Sequence, residues 1–146
     1  MEKTKREIKT FKVSDYGDMF AKVLNMDLIH YSEYGGYSGS WIGILKDEDR
    51  VFFYLGYYGS CSGCDWLEAE RDWETEEVDA KEAIQYVGDI KPMLILPIFM
   101  IKRLKDDDIK EILSMDMHGH DMGYEDRIDE VVGKILTDLT LLSSKK

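Results

Sequence analysis

The chain reads as an α+β fold: a small antiparallel sheet with a central hairpin, packed against several helices that include a long C-terminal one. Three observations predict this. Ser40 to Lys46 and Val51 to Tyr58 are rich in aromatic and β-branched residues and are separated by the polar turn Asp47-Glu48-Asp49-Arg50, the pattern of a β-hairpin. From about Tyr124 to Ser143, Ile128, Val131, Val132, Ile135, Leu136, Leu139 and Leu142 fall on one broad stripe at helical spacing. At 146 residues and 44% hydrophobic content, the chain is long enough to bury a sizeable core, so residues 1–146 are expected to form one α+β domain.

The remaining elements follow in chain order. Ile8 to Val13 reads as a short strand. Ser14 can cap a helix from about Asp15 to Asn25, in which Met19, Phe20, Val23 and Leu24 recur at helical spacing and Gly17 is a mild cost. Residues 31 to 40 are rich in glycine and tyrosine and read as a loop. Within the second hairpin strand, Gly56 signals a bulge or a close backbone approach. Asp65 can cap a helix through about Trp73, with acids in its first turn favoured by the helix dipole. Glu77 to Val87 reads as another helix, with Ala80, Ala83, Ile84 and Val87 on one side and Gly88 as its stop. Met93 to Ile101 is the longest apolar run, but Pro92 and Pro97 make it an extended edge segment rather than a helix. Asp106 to Asp108 open a helix through about Met115. No run approaches the roughly 18 apolar residues of a membrane span, and the first ten residues are charged without an apolar signal core. Cytoplasmic residence and no membrane partner are therefore expected.

Formal charge is -11, and it is concentrated. Residues 65 to 82 carry nine acids against Arg71 and Lys81 alone. Binding to a phosphate backbone needs a basic footprint, so direct nucleic-acid binding is not expected. Asn25 and Gln85 are the only side-chain amides, a depletion that suits a hot environment. No glycine-rich phosphate cradle occurs. Nucleophilic hydrolysis would need a serine or cysteine beside a histidine and a carboxylate, and the linear sequence does not bring Cys61 to His118.

Both cysteines lie in one motif, Gly59-Ser60-Cys61-Ser62-Gly63-Cys64. Three readings stand. Cys61 and Cys64 can be a thiol or disulfide redox pair activated by the helix starting near Asp65, although the neighbouring acids oppose a thiolate. They can bind zinc with His118 and His120 as a four-ligand set, although the spacing is not that of a zinc finger. They can also be compact packing residues in a small-residue turn. On the last reading no cofactor is needed.

The string Tyr37-Ser38-Gly39-Ser40-Trp41, then a hairpin, then Gly59 to Asp65 followed by Trp66 and acids, resembles small uncharacterised proteins of phages, archaeal viruses and microbial genomes. The resemblance spans about residues 37 to 74. It implies a viral or mobile-element origin, hence a host cytoplasm, and no activity. The residues themselves favour a small acidic, non-enzymatic binding protein that engages a basic protein through Tyr57, Tyr58, Trp66, Glu70, Trp73 and Glu74. Tyrosine and tryptophan suit contact surfaces, and Trp66 and Trp73, seven apart, would share a helix face. A thiol-redox or zinc protein using Cys61 and Cys64 is the alternative.

Overall fold

A computed structural model describes residues 9–35, 39–59, 65–114 and 124–144. The elements are β1 (Thr10–Lys12), α1 (Tyr16–Leu24), β2 (Asp27–Gly35), β3 (Gly39–Lys46), β4 (Arg50–Tyr58), α2 (Trp66–Glu70), β5 (Glu77–Asp79), α3 (Ala80–Asp89) and β6 (Leu94–Pro97). A 3₁₀ helix (Ile98–Arg103), α4 (Asp106–Ser114) and α5 (Tyr124–Ser144) complete the order. The fold is α+β, as the sequence predicts. β2, β3, β4 and β6 form an antiparallel sheet in that order, and β1 pairs antiparallel with β5.

The sheet is buried on both faces, which explains the unbroken burial of its central strands. Alternation in β3 and β4 sends Ile42, Ile44, Val51, Phe53 and Leu55 to one side. There they meet Ile101, Ile109, Ile112 and Leu113 from the 3₁₀ helix and α4, and Val131, Val132, Ile135 and Leu139 from α5. Trp41, Leu45, Phe52 and Tyr54 go to the other side, against Tyr16, Met19, Phe20, Leu67, Val78, Ala83 and Val87. Helices thus cover both faces of an antiparallel sheet.

The hairpin is continuous in register from Gly39↔Tyr58 to Lys46↔Val51. Gly56 lies opposite Trp41 in that ladder, and a Cβ there would sit 2.5 Å from the indole Cε2. The glycine therefore marks a close approach, not a bulge. Gly17 has the same role on α1: an added Cβ would come within 2.8 Å of Tyr31 Cδ1 on β2.

Several boundaries differ from the sequence expectations. Tyr31 to Gly35 belong to β2, and β3 begins at Gly39. The stretch is strand because Tyr31 and Tyr34 pack on opposite faces of the sheet, and that packing outweighs the local turn propensity. Asp15, not Ser14, caps α1: its carboxylate accepts from Asp18 N at 2.7 Å, while Asp18 accepts from Ser14 N at 2.9 Å. The segment after Glu77 starts as β5, and the helix begins only after Asp79, whose side chain accepts from Lys81 N and Glu82 N. That helix continues through Gly88 to Asp89, with Ala83 and Val87 buried and Ile84 57% exposed. Leu94–Pro97 is an edge strand on β4 as expected, but Ile98–Arg103 turns into 3₁₀ helix.

Candidate functional site

The acidic segment is built onto the outer layer of the Trp41 side. Asp65 caps α2, accepting from Leu67 N and Glu68 N, and also accepts from Gly59 N and the Tyr16 hydroxyl. α2 then stops at Glu70, because the next residues turn back to pair β5 with β1. Asp72 Oδ1 accepts from Glu74 N at 2.8 Å and Thr75 N at 3.0 Å, making an Asx-type turn that carries Trp73. Glu76 closes it in the left-handed region, φ 63°.

This arrangement separates two tryptophans expected to share a face. Trp66 is half-buried and stacks on Tyr86, with ring centroids 4.5 Å apart. Trp73 lies beyond the helix end and is 78% exposed. Tyr58 is half-buried against the Trp41 cluster, whereas Tyr57 is 56% exposed at the end of β4. Glu70 and Glu74 are exposed. The proposed contact residues thus divide into a packed pair, Trp66 and Tyr58, and an outward group built around Trp73.

The acids divide as well. Asp65, Asp72 and Asp79 serve the main chain, and Glu77 accepts from the Thr10 hydroxyl. Glu70, Glu74, Glu76 and Glu82 point outward, and Glu68 is half-exposed. Among the described residues, the Lys and Arg ion pairs run to Asp18, Asp47, Asp129 and Glu130, none of them in this segment. Arg71, the cation inside the run, donates instead to the Val13 and Ser14 carbonyls, 3.0 Å each. Leu67, Glu68, Arg71, Trp73 and Glu76 line a cleft of about 160 Å³.

The phenols on this side are held protonated. Burial, then the hydrogen bond to Asp65, pushes the Tyr16 hydroxyl well above its ordinary value. Burial pushes Tyr86 up to about 12, with Tyr57 and Asp65 adding to it. Tyr31 is raised by burial and by Glu33, whose carboxylate accepts its hydroxyl at 2.8 Å.

A second constellation lies across the sheet and was not apparent from the linear sequence. Between edge strand β2 and α5 runs a cleft of about 750 Å³. His30 is buried in it, 7% exposed, with Nδ1 2.7 Å from Asp138 Oδ2 and Nε2 2.5 Å from Ser32 Oγ. The one available signal was His-x-Ser spacing, which puts two side chains on one face of a strand.

Cys61, Cys64, His118 and His120 lie outside the described residues, so the thiol-pair and zinc readings are neither brought together nor separated. Among the described residues no group of three or more His, Cys, Asp or Glu could hold a metal ion, and no helix is long and apolar enough to cross a membrane. The chain matches no family model, no curated protein and no solved structure at significance.

Proposed function

We propose that the protein is a small acidic binding protein whose ligand is a basic protein surface, docked on the outward group Trp73, Glu70, Glu74 and Glu76. The observation that carries this reading is the 78% exposure of Trp73 among carboxylates that pair with no lysine or arginine among the described residues. An indole face attracts a cation, more so as the pair is desolvated. The surrounding carboxylates speed encounter with a positive patch and select against negative ones. A nucleic-acid-binding protein blocked by charge mimicry is the partner type this chemistry favours. The resemblance of residues 37 to 74 to small phage and archaeal-virus proteins is consistent with a virally encoded blocker of that kind.

The test is affinity capture with the full chain at rising salt. Basic proteins should be recovered and released as the Debye length shrinks below about 5 Å. Trp73→Ala should weaken capture about tenfold, equivalent to about 1.4 kcal/mol. Partners that stay bound in high salt, and stay bound when Glu70, Glu74 and Glu76 become glutamine, would refute the proposal.

A further inference from the structure

We infer that the cleft between β2 and α5 is a nucleophilic acyl-transfer site, with Ser32 as nucleophile, His30 as general base and Asp138 as the group that orients His30. The substrate class is a small ester or thioester.

Geometry comes first. Strand β2 pairs regularly with β3 except between Leu28 and His30, where the register shifts by one. Ile29 is the extra residue. Were Ile29 paired in regular register, it would oppose Ile44, and His30 would oppose Gly43 and point to the Trp41 side. With Ile29 bulged, His30 opposes Ile44 and Ser32 opposes Ile42, so both face α5. A bulge that re-aims one polar side chain into a cleft is a feature found beside active sites. Asp138 reaches the same point from 108 residues away in sequence.

The proton positions follow from what each group can do. A carboxylate only accepts, so the proton of neutral His30 lies on Nδ1, facing Asp138. Nε2 is then a bare acceptor, and the Ser32 hydroxyl donates to it. This is the tautomer an acyl-transfer base requires. A structural tie between β2 and α5 would need only the His30–Asp138 bond. It gives no reason for a half-exposed serine on the second nitrogen at the wall of a cleft of about 750 Å³.

In the reaction, Ser32 Oγ attacks the carbonyl carbon while its proton passes to His30 Nε2. Asp138 stabilises the imidazolium through Nδ1–H. Collapse of the tetrahedral intermediate breaks the bond to the alkoxide or thiolate, which takes the proton from Nε2. Water then attacks the acyl-serine, gives its proton to Nε2, and releases the carboxylic acid as that proton returns to Ser32. Lys134, the cation of the cleft lining, pairs with Glu130 at 3.3 Å on the same helix, one turn before Asp138, and turns from that carboxylate to the oxyanion as negative charge develops there. Gly133 keeps the entrance open, since a Cβ there would meet nothing within 4 Å.

The test uses the full chain and a fluorophosphonate probe, followed by intact mass and peptide mapping. One label per chain, on Ser32, is expected, with none in Ser32→Ala. His30→Gln and Asp138→Asn should label at least about 10³-fold more slowly. Those two substitutions also loosen the β2–α5 contact, so Gly133→Leu provides a variant that leaves the triad intact. It fills the cleft from a helix position where leucine is favoured over glycine, and it should melt no lower than the parent while labelling at least about tenfold more slowly. Absence of label on Ser32 in a chain with a native melting transition would overturn the assignment. So would a labelling rate unchanged by His30→Gln or by Gly133→Leu.

Discussion

Replacing Gly56 by alanine tests the packing on which the Trp41 side of the sheet depends. The new methyl carbon would sit 2.5 Å from Trp41 Cε2 and 2.6 Å from both Cζ2 and Nε1. The indole cannot retreat. It is fully buried, stacked on Tyr16 at 5.3 Å and 7°, and edged by Phe20 at 5.1 Å. Its Nε1 is buried and has no hydrogen-bond partner among the described residues, so no polar contact would steer it to a new rotamer. Overpacking of this kind costs about 1 to 3 kcal/mol, which at this chain length lowers Tm by roughly 3 to 10 °C. Thermal unfolding followed by tryptophan fluorescence measures it. A second substitution sharpens the argument. Phenylalanine at position 41 lacks the atoms that the methyl meets, so in a Trp41→Phe background Gly56→Ala should cost at least about 1 kcal/mol less. If Gly56→Ala is neutral to within about 0.5 kcal/mol, like an ordinary surface change, or costs the same in both backgrounds, the close-approach reasoning is wrong.

Two further outcomes are expected. Glu76 sits at φ 63° with a side chain that the left-handed region disfavours, so Glu76→Gly should raise stability by up to about 1 kcal/mol while weakening capture of a basic protein; a fall in Tm, or unchanged capture at low salt, would contradict this. The buried phenols set an alkaline limit. Their folded values lie above the ordinary 10.0, so the stabilisation they give is complete below pH 10 and is lost as pH climbs through and beyond about 12, where Tyr86 ionises. Phenolate absorbance should show Tyr86 titrating near 12 and Tyr16 and Tyr31 only with loss of the fold; all nine tyrosines ionising together near 10 in a native chain would refute it.

The hairpin, the C-terminal helix, the α+β class and the edge role of Leu94–Pro97 were legible in the sequence because each rests on local composition or spacing. The aromatic and β-branched content of Ser40–Lys46 and Val51–Tyr58, the prolines around Leu94–Leu96 and the stripe from Ile128 to Leu142 all act over a few residues. The role of Asp65 as a cap was legible for the same reason. The run from Tyr31 to Gly35 was not, because its composition suits a turn and becomes strand only when Tyr31 packs in the Trp41 cluster and Tyr34 in the α4 and α5 cluster across the sheet. Trp66 and Trp73 have helical spacing, yet the pairing of β5 with β1 ends α2 at Glu70 and turns Trp73 outward. Nothing local marks Ile29 as a bulge either.

Sequence by itself therefore determined which segments bury apolar surface, how much charge the chain carries and where that charge is dense, since these depend on residue type and short-range spacing. Only the tertiary structure decided which acids are engaged by the main chain and which face solvent, and only it set His30 between Ser32 and Asp138. Those are contacts across up to 108 residues. They exist because the sheet is buried on both faces and α5 must lie against its β2 edge, a constraint that no single segment contains.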